Sequence, residues 1–197
     1  MSETRIVRVE LDARGYDIQI GSGLIAQAGT HLAPFAKGRP IVIVTDDTVA
    51  GLHLAALERS LGGAGITYKS VTLPPGEGTK DFSHFARLCE QILALGIERQ
   101  TLLVALGGGV VGDIAGFAAA SLLRGLAYVQ IPTTLLAQVD SSVGGKTAIN
   151  AAHGKNLVGA FHQPVLVLAD VAVLATLPRR ELLAGYAEIL KYGLIRD

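Results

Sequence analysis

Two glycine-rich stretches hold residue types that could do chemistry. The first is Gly107–Asp113, GGGVVGD, which follows the apolar run TLLVAL and sets Gly107, Gly109 and Gly112 in the spacing G-x-G-x-x-G. Glycines at a strand-to-helix turn let the backbone approach a pyrophosphate at the helix N-terminus. The same residues also fit a tight turn followed by a small-residue stripe, Gly112, Gly116 and Ala120, for close helix packing. The turn comes well into the chain and no acid lies about 20 residues on, unlike an ordinary dinucleotide fingerprint. Asp113 either favours the helix N-terminus or meets ligand hydroxyls.

The second is Asp140–Asn150, DSSVGGKTAIN. Its Gly-Gly-Lys-Thr resembles the end of a triphosphate loop, G-x-x-x-x-G-K-[ST]. The first glycine of that pattern would fall at Asp140, where a carboxylate would repel the phosphates, so the triphosphate loop is excluded. TTLLAQVDSSV before it predicts a short helix capped by Gly144 and Gly145. Asp140 then sits near the negative end of the helix dipole, where a lysine or a ligand would have to stabilise it. Arg124, Lys146 and Lys155, with Asn156, lie among small and apolar residues. Cations in such a setting suit an anionic small molecule, although exposed lysines alone would give the same pattern.

Other candidates are single residues. Asp46 ends the run IVIVTD, where an acid can bind ribose hydroxyls or cap the next helix. PPGEGTK, Pro74–Lys80, reads as a surface turn with Glu77 and Lys80 of opposite charge. Glu188 and Lys191 share a helix face as an ordinary i,i+3 ion pair or as a metal-binding carboxylate beside a cation. His31, His53, His84, His153 and His162 show no two-histidine metal spacing, and a catalytic zinc takes three protein ligands.

The elements that must position these residues alternate. Val7, Val9 and Leu11, then Tyr16, Ile18 and Ile20, flank DARG and predict an opening β-hairpin. PIVIVTDD, ITYKSVTL, TLLVAL, AYVQIP and VLVLAD predict strands, separated by the helical patterns TVAGLHLAALERSL, DFSHFARLCEQILALG and DIAGFAAASLLRG. Strand–helix alternation implies a parallel sheet with ligands at the carboxyl ends of its strands. From Pro178 the sequence PRRELLAGYAEILKYGLIRD is helical, with Leu182, Tyr186, Ile189 and Leu190 on one side and no strand after it.

Composition narrows the function classes. Lys plus Arg and Asp plus Glu are 17 each, which leaves no basic footprint for nucleic acid and no polybasic membrane patch. The charged MSETRIVRVELD is no signal peptide, and the most apolar window, TLLVALGGGVVGDIAGFAAASLL, is long enough to span a bilayer but is broken by Asp113 and five glycines. The single cysteine, Cys89, falls in a helical pattern as a buried packing residue and suits a reducing compartment.

In order, PGEGTK, GGGVVGDIAGFAAA, RG, IPTTLLAQVDSSVGGKTAIN, GKNLVGAFHQP and GYAEILKYG closely resemble the 3-dehydroquinate synthase family of sugar-phosphate cyclases, from about Asp46 to the chain end. The resemblance implies a Rossmann-like, mostly parallel α/β sheet with flanking helices and an N-terminal hairpin. It divides the chain into an NAD-binding domain, 1–177, and the beginning of a helical metal-binding domain, 178–197. Asp46, Pro75, Gly76, Glu77, Gly78, Thr79, Lys80, Gly108, Gly109, Val110, Val111, Gly112, Asp113, Thr133 and Thr134 would serve NAD. Arg124, Asp140, Lys146, Asn156 and Lys191 would line the substrate site, with Arg124 reaching across a homodimer. Lys155 would lie between cofactor and substrate, with Lys146 also near the cofactor. Glu188 would bind zinc or cobalt.

The resemblance further implies a cytoplasmic shikimate-pathway enzyme that converts 3-deoxy-D-arabino-heptulosonate 7-phosphate to 3-dehydroquinate and phosphate. In the family two histidine ligands lie beyond position 197, so this chain alone is expected to hold zinc weakly and to be inactive. Alternatives are a cyclase of the aminocyclitol or valiolone type, a metal-dependent polyol dehydrogenase, and a non-catalytic nucleotide-binding module.

Overall fold

The computed structural model describes residues 4–195. The first residues of the charged N-terminal stretch, 1–3, and the end of the helical pattern, 196–197, lie outside the described residues. A seven-stranded sheet has the order β1-β2-β9-β6-β5-β3-β4. Its strands are β1 (Arg5–Val9), β2 (Tyr16–Gly21), β3 (Ile41–Asp46), β4 (Tyr68–Leu73), β5 (Leu102–Gly107), β6 (Tyr128–Pro132) and β9 (Leu166–Asp170). β1 and β2 form the expected antiparallel hairpin, and the other pairs are parallel.

The apolar runs are continuous because both sheet faces are covered. Ile41 and Ile43 of β3, with Leu102, Val104 and Leu106 of β5, join one core with Leu32, Leu57 and Leu61. The alternate residues Val42, Val44, Leu103 and Ala105 join a second core with Leu88, Ile92, Ile114 and Ala118. The first face is covered by α1 (Ala28–Ala36) and by a rod made of α2 (Asp47–Val49), a π turn (Ala50–Leu54) and α3 (Ala55–Gly63). The second is covered by α4 (Phe82–Ala94) and α5 (Gly109–Ser121).

Local signals set the helix starts. Asp46 Oδ1 accepts from Val49 N–H at 2.9 Å, and Asp81 Oδ1 from His84 N–H at 2.8 Å, as N-caps do. Cys89 is half-buried rather than fully buried. It packs on the second core, and burial pushes its thiol up to about 11.

Two elements depart from the expected pattern. α1 forms despite Gly29 and Pro34, because Ala28, Leu32 and Ala36 share one buried face. A hairpin of β7 (Lys146–Ala151) and β8 (Gly154–Phe161) stands apart from the main sheet and packs on α5. A register shift between Ile149 and Ala151 and an exposed β8 hide its alternation in the sequence. The last helix, α6 (Arg179–Ile195), rests on the helical turn before Ser142 through Gly185, where a Cβ would lie 2.5 Å from Leu136 N.

Candidate functional site

The carboxyl ends of β3 to β6 open onto a cleft of about 740 Å³. Asp46 lines it from β3, and Pro75, Gly76, Glu77 and Lys80 from the segment after β4. Gly108, Gly109, Val110, Val111 and Asp113 bring the start of α5, Thr133 and Thr134 follow β6, and Lys155 and Asn156 come from β8. The N-cap of α5 is Gly108, which has no side chain to cap it. The N–H groups of Gly109, Val110 and Val111 precede the first helical bond, from Gly112 N–H to Gly108 O at 3.0 Å. Such N–H groups favour an anion. The buried Thr133 hydroxyl, without a protein partner among the described residues, stands in the same wall. Uncapped donors beside an unpartnered hydroxyl suit a diphosphate.

Packing explains the other glycines of the turn. A Cβ at Gly112 would lie 2.8 Å from Gln130 Oε1, and one at Gly116 would lie 2.5 Å from Thr147 Cγ2. The small stripe therefore seats α5 on β6 and β7, and Gly112 itself lines neither cavity.

A second cavity of about 550 Å³ adjoins the first. Lys146, Thr147 and Ala148 of β7, the Leu157 and Gly159–Phe161 side of β8, and the Asp140–Gly144 turn wall it. The helical turn ends at Ser141 with Ser142 as its cap, earlier than the expected Gly144 and Gly145, which take left-handed φ values of 90° and 65° and deliver the chain into Lys146. Asp113, Asp140, Ser141 and Asn156 line both cavities.

Lys80 stands at the junction. It is no part of a surface turn, being 4% exposed. Its ammonium donates to Asp113 Oδ2 and Asn156 Oδ1 rather than pairing with Glu77. Burial pushes the Asp113 carboxyl above its ordinary range, and Lys80 only partly offsets that. Partial burial works to raise the Glu77 carboxyl as well. There the Asn150 hydrogen bond, Lys80 and Lys155 outweigh it and hold the group below its ordinary value. Lys155 Nζ lies 3.6 Å from Glu77 Oε1.

Several predicted residues stand outside both cavities. Gly78 and Thr79 belong to the 3-10 turn that shapes the loop, where Thr79 Oγ1 donates to Pro74 O at 2.7 Å. Arg124 is exposed at the far end of α5, with a left-handed φ of 71°. On α6, Glu188 pairs with Lys191 as their spacing predicts, and this hydrogen bond raises the lysine pKa. Asp140 meets Tyr192 rather than a lysine, the hydroxyl donating to Oδ1 at 2.9 Å. Among the described residues no three of His, Cys, Asp and Glu converge, so they do not by themselves fit a catalytic metal. Ser141, Asn150 and Tyr192 carry no sequence signal of their own beyond standing within or beside the motifs DSSVGGKTAIN and GYAEILKYG.

Residues 70–184 match the sequence model of a family described as 3-dehydroquinate synthase N-terminal. The chain belongs to the 3-dehydroquinate synthase family. A curated 3-dehydroquinate synthase from Cereibacter sphaeroides is 60% identical over 191 residues, 97% of this chain and 52% of that protein. The chain thus spans about half the length of the curated relatives it matches. The fold is also that of other cyclases. The structure of 2-deoxy-scyllo-inosose synthase complexed with carbaglucose-6-phosphate, NAD+ and Co2+ superposes with a TM-score of 0.87 at 30% identity, covering 95% of this chain and 50% of that one. The 2-epi-5-epi-valiolone synthase of Streptomyces hygroscopicus subsp. jinggangensis, with NAD+ and Zn2+ bound, gives 0.83 at 34% identity, covering 95% and 51%.

Proposed function

We propose that this chain carries the NAD site and one wall of the substrate site of a 3-dehydroquinate synthase. The whole enzyme would convert 3-deoxy-D-arabino-heptulosonate 7-phosphate to 3-dehydroquinate and phosphate in the shikimate pathway. The observation that carries the proposal is the pair of adjoining cavities sharing Asp113, Asp140, Ser141 and Asn156, one opening on uncapped helix N–H groups and the other on Lys146. A redox coenzyme and an anionic sugar acid would meet at that shared wall. The chemistry that NAD+ would supply there is reversible hydride transfer with the carbon that bears a substrate hydroxyl, leaving no net redox change.

The chain's own residues do the positioning. Gly108, Gly109 and Val110 would hold the diphosphate through N–H groups, and Asp46 and Glu77 the ribose hydroxyls. Lys146 and Lys155 would neutralise phosphate and carboxylate where charge develops during elimination. Asn156 and Asp140 would orient hydroxyls, and Lys191 would close the site from α6. Arg124 lies outside both cavities, which suits a residue reaching the site of a second copy in a homodimer. Glu188 would be one ligand of zinc or cobalt. Residues 1–177 would form the cofactor domain and 178–197 the start of a helical one. A cytoplasmic setting goes with this chemistry; no described helix is long and apolar enough to cross a membrane. Cyclases of other products are weaker models, at 30% and 34% identity against 60%.

Calorimetric titration of the chain with NAD+ tests the proposal. One molecule should bind per chain, and Gly108→Val should abolish binding, because a Cβ at 108 already lies 2.9 Å from Thr134 Cγ2. No heat with millimolar NAD+ would sink the reading.

A further inference from the structure

We propose that Asn150 is a positioning residue, a clamp that fixes Glu77 on the cofactor side and Asn156 on the wall the two cavities share with one side-chain amide. The proposal rests on the NAD reading above for its ligand. Asn150 lines neither cavity, so it acts through the residues it holds. Its Nδ2 donates to Glu77 Oε1 at 2.9 Å, and its Oδ1 accepts from Asn156 N–H at 3.0 Å. Its backbone N–H donates to Lys80 O at 2.7 Å.

The backbone explains why this residue is available. The register of β7 against β8 shifts between Ile149 and Ala151, which leaves Asn150 out of the ladder. A bulge of this kind frees one residue's backbone groups and re-aims its side chain. Asn150 spends that freedom on the segment after β4. Its other partner, Asn156, sits at a left-handed φ of 57°, a conformation asparagine tolerates better than most residues but one that needs holding. The Oδ1 of Asn156 in turn accepts from Lys80. Lys80 is therefore fixed at its carbonyl by Asn150 and at its ammonium by Asp113 and Asn156.

The chemistry selects an amide. The clamp must donate to a carboxylate and accept from an N–H at once, with two atoms of one planar group. Aspartate keeps the acceptor and loses the donor, and it sets a second carboxylate against Glu77. Alanine loses both links. The backbone bond to Lys80 survives either change, so the two side-chain links can be read apart.

Amide hydrogen exchange on the ligand-free 197-residue chain reads the Asn156 link directly. Asn150→Ala should speed exchange at the Asn156 amide about 10-fold, while Asn150→Asp leaves it near wild type. NAD+ titration reads the Glu77 link. Affinity should fall about 5-fold or more in both variants. On a Glu77→Ala background the Asn150→Asp change should cost less than about 2-fold, because coupled residues are not additive. Unchanged exchange at Asn156 in Asn150→Ala overturns the clamp. So does an affinity loss of equal size on both Glu77 backgrounds, or faster exchange spread evenly through β3 and β5, which would mark general destabilisation. A wild-type chain that fails to bind NAD+ overturns the cofactor reading instead, and exchange at Asn156 then decides the clamp alone.

Discussion

Lys80 and Asp113 form a buried pair at the point where the two cavities meet, with side chains 4% and 16% exposed. Removing one member of such a pair costs more than the pair contributes, since the other charge is left without a partner. Lys80→Met should therefore lower stability at neutral pH by roughly 3–5 kcal/mol. The sign of the pH dependence follows from Asp113, whose pKa is raised by burial despite the lysine. The folded state holds that proton to a higher pH than the unfolded chain does, so ionising Asp113 takes stability away as pH rises through its raised value. Without Lys80 the loss is larger. The gap between wild type and Lys80→Met should be widest near pH 7 and should shrink as pH falls through the Asp113 titration. Denaturant midpoints at pH 7 and pH 4 check this, and an equal gap at both would show that the pair is electrostatically idle.

At the scale of elements, α5 serves both cavities. Its first turn faces the larger cleft, and Gly116, about two turns on, seats the β7–β8 hairpin that carries Lys146. Gly116→Val would drive a side chain into Thr147 and Tyr128, 2.5 and 3.2 Å from the modest Cβ alone. Overpacking of this kind costs roughly 1–3 kcal/mol. The hairpin should yield before the sheet does, so inorganic phosphate binding near Lys146 should be lost, while NAD+ affinity should fall only about 5-fold, the share that Asn150, Lys155 and Asn156 of the hairpin hold in place. Equal loss of both ligands would mean that the hairpin and the cleft are one mechanical unit. The sheet and the helices that cover it were legible because their signals are local: continuous apolar runs, capping acids and glycine stops. The hairpin was not, because its pairing depends on α5 and its bulge breaks the period of two. Lys80 likewise reads as a surface cation until the fold brings Asp113 and Asn156 to it. Asp140 announced its need for a partner by its place at a helix end, yet that partner, Tyr192, comes from 52 residues away.

For the molecule as a whole, the question is what one carboxylate can do. Glu188 sits on α6 with Lys191 paired to it, and α6 shows Tyr186, Leu190 and Leu194 to solvent at 60%, 56% and 78%. A catalytic zinc takes three protein ligands, and the described residues bring no such group together. A metal arriving at Glu188 would also have to displace the Lys191 ammonium, whose raised pKa reflects that hydrogen bond. The cleft beside Gly108 does not involve Glu188, because its walls come from the ends of β3 to β6, α5, the hairpin, the turn at Thr176, Leu177 and Pro178, and Glu181 at the start of α6. The two functions should therefore separate in the 197-residue chain. NAD+ should bind, whereas zinc should show no tight site sensitive to Glu188→Gln, and incubation with the heptulosonate phosphate, NAD+ and zinc should release no phosphate. Calorimetry with each ligand and a phosphate-release assay make the comparison. Tight zinc binding lost in Glu188→Gln, together with phosphate release, would show that this chain assembles a metal centre by itself.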